Sequence, residues 1–456
     1  MEPAAAGALY AAENLLSGAA ALVKGITHPT LPLKANLTRI ESVPLPRSGH
    51  SLSVVKGRAY VFGGETAHGE LADNDMHIII LPSSGVLEAD YTTLKARPET
   101  AGGAVPASRK GHSSVVIGDS IYIFGGEGVQ EENGRIWVLD TLRNTWSFLD
   151  PAPDTAAPAH RTGHAAVASG LPGPRNVTYK EKAPQQPVDP AKVVPEPADA
   201  DSWGTIFVVG GRETGTGDLA KDALAFDVRS RTWSNIPTPD GPPTEGASLA
   251  LVGNSLYLFG GKTATETGES ATAKTQVLDA SSVWQHAEDG TTPLASGWAW
   301  DSLSASSAAN SSSSLTPSPR FAAGLEDVTT GQGRHYLLLF GGSSPAPDNN
   351  ITLLDDVWAF QLPSERASAA IAKDAVRAGL KRETHEAHWA EVGCRYMDTR
   401  GDELAQEKSG IKGFGSRSGF AAAKGTEVDG ASVVVWGGVD AEGRILSDGW
   451  LITAER

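Results

Sequence analysis

Six times in this chain an apolar run closes on a pair of glycines, and this recurrence constrains the fold more than any other feature. The runs are AYVFGG ending at Gly64, IYIFGG at Gly126, IFVVGG at Gly211, LYLFGG at Gly261, LLLFGG at Gly342 and VVVWGG at Gly438. A shorter, partly β-branched stretch precedes each one. A basic residue opens that stretch in five copies, at Arg47, Arg109, Arg161, Arg320 and Arg417, and the fourth copy breaks the series at Glu245-Gly246. Arg109–Gly126 shows the unit complete: arginine, His112, the polar turn Gly118-Asp119-Ser120, then Ile121–Phe124 and the glycines. Short apolar runs between turn signals predict strands buried on both faces. The glycine pair predicts positive φ and a close backbone approach.

Each pair is followed by a polar loop and a third apolar stretch: Met76–Leu81, Ile136–Asp140, Ala223–Asp227, Thr275–Asp279, Asp356–Leu362 and Trp450–Ile452. A fourth strand is expected around Trp146, Trp233, Trp284 and Trp389, with Tyr91 taking that role in the first copy. The sixth copy has no room for a fourth strand before Arg456, whereas Asn36–Val43 is an orphan strand ahead of the first copy. If the copies form a ring, this N-terminal strand completes the sixth sheet and removes an exposed edge.

The apolar-run-Gly-Gly, the trailing Tyr or Trp strand and a unit of about 52 residues resemble the kelch repeat. The resemblance implies an all-β fold, a six-bladed kelch β-propeller with four antiparallel strands, A to D, in each blade. It covers residues 36–456 apart from insertions at 170–203, 289–317, 364–387 and 394–416. Residues 1–35 stand apart, with an amphipathic Ala-rich helix expected over 4–24 and ended by Pro29 and Pro32. Such a helix could pack on the propeller or dock a partner. The Pro-rich 170–203 is expected to be extended or disordered, 364–382 to be helical within blade five, and 394–416 to be a loop.

A net charge of −16 excludes the basic face a nucleic-acid partner requires. No run reaches the roughly 18 apolar residues of a transmembrane helix. The single cysteine, Cys394, and a start without Lys or Arg before Lys24 lead to the expectation of a cytoplasmic chain.

Strand alternation places the B–C loops and D–A links on one face, together with the insertions 289–317 and 394–416. The opposite face receives the A–B and C–D loops, the Pro-rich insertion and the 364–382 helix. Variable loops on a rigid scaffold make the first face the candidate binding face. Arg47, Arg109, Arg161, Arg320 and Arg417 begin the inner strands there. Two readings stand: guanidinium groups that grip a partner's carboxylates or phosphates, or clasps that pair with acids of neighbouring blades. The family resemblance implies the first for kelch proteins that bind acidic peptide segments. His50, His112 and His164 recur at equivalent positions and are read as inter-blade packing, and His385-Glu386-Ala387-His388 lacks the HExxH spacing of a zinc site.

Two enzymatic kelch families can be tested on residues. Copper radical oxidases need a Tyr–Cys crosslink and a secretory signal, which Cys394 and this N-terminus do not fit. Plant nitrile-specifier proteins resemble this chain in layout and use an iron site of pattern Glu-x-x-x-Asp-x-x-x-His. The nearest match, Glu70, Asp73 and His77, has its first gap one residue short. The sequence therefore reads as a non-catalytic interaction scaffold or adaptor, with no cofactor or metal predicted. It would bind a protein partner, through an acidic segment, on the B–C face. The alternative is a specifier-like or metal-assisted enzyme with a small-molecule site in the channel.

Overall fold

The computed structural model describes residues 29–455 apart from 41–42, 68, 82–88, 131, 154, 174–202, 266–267, 285–296, 304–315, 331–333, 346–349, 364–368, 381, 383, 399–401, 404–412 and 426–429. The helix expected at 4–24 and most of the Pro-rich insertion lie outside the described residues.

Six sheets follow one another around a central channel, each with four antiparallel strands A-B-C-D from the inside outwards and blade six with a fifth strand outside these. Blade two is typical: Ser113–Ile117, Ser120–Phe124, Ile136–Asp140 and Thr145–Leu149, in simple meander order. Both faces of each B strand are covered by neighbouring blades, which is why these segments read as unbroken apolar runs. In blade two, Ile121 and Ile123 pack toward blade one, while Tyr122 and Phe124 pack toward blade three. The core is accordingly six clusters, one in each gap between blades.

Blade six takes its fourth strand from the other end of the chain. Lys34–Ile40 pairs antiparallel with Gly449–Glu455, Leu37 opposite Ile452. A fifth strand, Gly393–Met397, lies parallel to Lys34–Ile40 at the outer edge. The loop expected at 394–416 therefore opens with a strand. Its side chains Cys394 and Tyr396 pack on the core of the gap between blades five and six, which draws this stretch into the sheet.

Blade four also differs from expectation. Its fourth strand is Asp301–Ser302, and Val277 pairs with Asp301. Trp300 therefore falls opposite Leu278, the place Trp146 takes opposite Leu139 in blade two. Trp284 instead sits in a helical turn at 281–284, buried, and donates to Thr205 Oγ1 at 3.2 Å. Periodicity cannot separate two tryptophans that both lie a plausible distance past strand C. The insertion divides in consequence: the chain between Trp284 and Trp300 belongs to the C–D connection, and only the part after Ser302 leads to the next blade. In blade five the helix is Ala369–Gly379, and buried Arg377 lies on it.

Candidate functional site

The face with the B–C loops is organised by the arginines. All five are buried, and Arg109, Arg161 and Arg320 have no accessible surface. Arg109 holds Glu132 through Nη1 and Nη2, both at 2.8 Å, and Nη1 also donates to the carbonyl of Gly125 at 3.1 Å. Arg161 repeats this with Asp222 and Gly210, Arg320 with Asp356 and Gly341, and Arg417 with Asp448 and Gly437. In three of the four the carboxylate is the residue just before strand C. Each clasp thus ties the start of strand A to both ends of its own B–C loop, within one blade and not across to its neighbour. A tryptophan two residues after the acid donates to it in blades five and six, Trp358 to Asp356 at 2.6 Å and Trp450 to Asp448 at 3.0 Å. Burial alone would raise the Glu132 carboxyl, but Arg109 outweighs it and holds the group below its ordinary value.

The blades are joined by the backbone of the same residues. The second glycine of each pair donates its N–H to the carbonyl at the arginine position of the next blade, at 2.8–3.3 Å around all six junctions. Blade four supplies Thr244 in that place, so the residue that stands for arginine is Thr244, and Glu245 comes one position later. A second belt runs through Gly49, Gly111, Gly163, Gly246 and Ala322, with N–H to carbonyl distances of 2.7–2.9 Å. The first glycine of each pair leaves space for the following blade: a Cβ on Gly125, at φ 68°, would lie 2.5 Å from the carbonyl of Arg161 and 2.8 Å from His164 Cε1.

That neighbour explains the repeated histidines. Phe62 meets His112 edge-on at 5.5 Å and Phe124 meets His164 at 5.1 Å. The Nε2 of His112 bonds Ser51 Oγ, and that of His164 bonds Ser113 Oγ, each across a blade junction. His50 faces a blade whose strand A begins with alanine, and among the described residues neither of its ring nitrogens has a hydrogen-bond partner. Burial drives all three well down, His50 and His164 to about 3, with nearby arginines adding to the effect.

One position after the arginines stand the residues of the channel mouth: Ser48, Lys110, Thr162, Glu245, Phe321 and Ser418. Each sits on or next to a backbone bridge to its own B–C loop. Lys110 pairs with Glu65 and, at 3.0 Å, with Glu127. Glu245 receives Arg212 at 2.8 and 2.9 Å and Lys262 at 3.0 Å, which together outweigh burial and hold its carboxyl low. Lys262 also lies 5.3 Å over the ring of Phe321. The mouth is a ring of matched charges beside one aromatic, and sequence reasoning passed over it because each residue type is unremarkable in isolation.

Below the mouth, the six A strands enclose a cavity of about 360 Å³. Its walls are small side chains, apolar (Val54, Val116, Ala166, Ala168, Leu251) and hydroxyl-bearing (Ser53 and Ser114, 2.9 Å apart), and on one side Glu326, Asp327 and Lys424 converge. Asp327 takes Lys424 at 3.0 Å and His335 at 3.1 Å. Glu326 is ringed by protein, which raises its carboxyl to about 7 despite the nearby Lys424.

A model of the KLHDC2/KLHL20/DRC7 kelch-repeats domain matches residues 34–171. Across the whole ring, the structure titled YjhT superposes with a TM-score of 0.51 at 15% identity, covering 91% of this chain and 99% of that one. The chain folds as a six-bladed β-propeller of kelch type, and residues 34–171 carry the kelch repeat in their sequence. Among its relatives, an N-(sulfonatooxy)prop-2-enimidothioate sulfolyase of Thlaspi arvense is 33% identical over 127 residues, 28% of this chain and 34% of that protein. Acyl-CoA-binding domain-containing protein 4 of Arabidopsis thaliana is 24% identical over 373 residues, 81% of this chain and 45% of that protein. Human kelch domain-containing protein 3 is 25% identical over 231 residues, 48% of this chain and 49% of that protein. The kelch propeller thus spans a third to a half of the length of these curated relatives.

The iron pattern of specifier proteins can be tested on blade one. His77 Nε2 lies 3.0 Å from Asp73 and 3.1 Å from Arg47 Nη2, and its Nδ1 lies 2.7 Å from the Tyr91 hydroxyl. Both ring nitrogens are engaged, a guanidinium stands where a cation would have to enter, and Glu70 is on the surface. These residues do not fit an iron site. They form instead a fifth, altered clasp, in which Arg47 meets a histidine and lies 3.8 Å from Asp73, while Asp75 pairs with Lys95. Among the described residues of this kelch propeller, no helix is long and apolar enough to cross a membrane.

Proposed function

We propose that this kelch propeller is a non-catalytic intracellular adaptor that docks a protein partner on its B–C loop face. The observation that carries this reading is the mouth: charge pairs and Phe321 displayed on loops that buried arginine clasps hold rigid. Charges that are pre-paired and pre-positioned lose little entropy on binding and select a complementary partner. The five arginines then act as positioning residues for the loops. Arg47 is the exception in its pairing, since no carboxylate among the described residues engages it bidentately, but its guanidinium is buried like the others and is held by His77 and the Pro46 carbonyl. Reversing Lys110 and Lys262 to Glu should abolish stoichiometric co-purification of the partner. Lys56→Glu, in an A–B turn on the opposite face, should leave it intact. Equal recovery from both variants would move the interface off this face.

The channel supports a second reading, a small-molecule site. Glu326, held near neutrality on the channel wall beside Asp327 and Lys424, is suited to proton exchange with a bound ligand. Glu326→Gln should eliminate any turnover or ligand binding that belongs to the channel while leaving partner docking unchanged.

A further inference from the structure

Blade four lacks every side chain of the clasp and keeps only its glycine carbonyl, at Gly260. Thr244 stands for the arginine and Lys274 for the carboxylate just before strand C. Gln276 stands where blades five and six carry the tryptophan, and is engaged elsewhere. Its Oε1 accepts from the N–H of Asp240 at 2.8 Å and its Nε2 donates to the Asp240 carbonyl at 3.1 Å. These bonds tie the link 239–242 to strand C, and with no arginine side chain at position 244 an opening remains beside Thr244. It forms a cavity of about 220 Å³ on the B–C face, with Thr244, Leu258, Gly260, Thr272 and Lys274 among its walls.

The lining states what fits. Leu258, Pro239, Pro242 and the glycine backbone accept an aliphatic stem. The charge at the far end is inverted relative to the other blades: the place of Asp222, Asp356 and Asp448 is taken by an ammonium. Among the described residues the Lys274 ammonium has one long contact, 3.4 Å to Asp240, and both groups are substantially exposed. That pairing is weak, and it leaves ammonium N–H directions for a second carboxylate. A partner's arginine would find the Gly260 carbonyl and Asp240, which also lines the cavity, but would have to displace Lys274 from that carboxylate. A glutamate would instead place a second carboxylate at Lys274, on the side away from Asp240, with its methylenes along the wall.

We propose that this vacated slot in blade four is a binding pocket for an acidic side chain, a glutamate, presented by the partner on the B–C face. The proposal deepens the adaptor reading and rests on it, since it names one contact within that face.

The test uses the full chain and a defined probe, N-acetyl-glutamate N-methylamide, with the corresponding glutamine and arginine amides as controls. Titration followed by amide chemical shifts should give saturable changes at Thr244, Gly260, Gly261 and Lys274. Binding of the glutamine amide should be weaker by about tenfold, the factor that about 1.4 kcal/mol represents. The double variant Thr244→Arg, Lys274→Asp rebuilds the clasp of blades three and five; it should fill the slot and abolish the shifts. Should that variant not fold, Lys274→Gln keeps the slot open and should erase the preference for glutamate over glutamine. Equal binding of glutamate and glutamine amides by the wild type, preference for the arginine amide, shifts that persist in a folded double variant, or no shifts at all would each overturn the pocket. Failure of the adaptor reading has a different signature, since it shows in partner recovery from the Lys110 and Lys262 reversals.

Discussion

Arg109 illustrates how much a single buried residue does here. Its carbonyl joins blade two to blade one, while its guanidinium closes the B–C loop of blade two around Glu132. Arg109→Ala removes the guanidinium from the Gly125 carbonyl and from the half-buried Glu132, which keeps only Trp137 Nε1 as a donor among the described residues, and should cost about 3 kcal/mol, measured by urea unfolding. If the loss is below about 1 kcal/mol, the clasp is ornamental. Gly125→Ala meets two obstacles at once, a positive φ and a neighbouring carbonyl inside van der Waals contact. It should destabilise by about 3 kcal/mol or more, seen as a lowered Tm.

Among elements, the strand Lys34–Ile40 matters most, because it lies between the last strand of the chain and the added strand Gly393–Met397. Leu37 is fully buried in the cluster between blades five and six. Leu37→Asp places a charge in that cluster and should cost about 3–5 kcal/mol. Hydrogen exchange should then show amides of 34–40 and 449–455 losing protection together. Continued protection of 449–455 with 34–40 exposed would mean that the ring does not depend on this seam. The edge left by such opening is a row of unpaired backbone groups, the usual route to association between chains.

At the scale of the molecule, buried titratable groups set an opposed pH dependence. His50 and His164 titrate near 3 when folded and near 6.5 when unfolded, so below 6.5 the unfolded chain takes up protons first and stability falls. Glu326 does the reverse. Its carboxyl is raised to about 7, so the folded chain takes up its proton first, and stability falls as pH rises from about 4.5 through 7. Stability should therefore peak between these effects, slightly acid of neutral. Glu326→Gln should raise the denaturation midpoint at pH 8 by the equivalent of about 1–3 kcal/mol and leave it little changed at pH 5. An unchanged midpoint at pH 8 would mean that channel water solvates the ionised group fully.

The recurrence of strand, turn and glycine pair is a local property, and the sequence alone therefore determined the number of blades, the inner strands and the orphan strand at the N-terminal side. Alternation along the chain was also enough to put the arginines on one face. What the arginines touch was not legible, because Glu132 and Asp222 lie 23 and 61 residues from their partners and only folding shows which acid each one meets. The blade-four tryptophan was misplaced for a related reason: Trp284 and Trp300 are equivalent in the one-dimensional pattern and are separated only by register with Leu278. The break in the arginine series was visible as a missing residue, one position off. That the break opens a cavity, with Lys274 at the vacated carboxylate, depends on three segments meeting in space, and tertiary structure alone decided it.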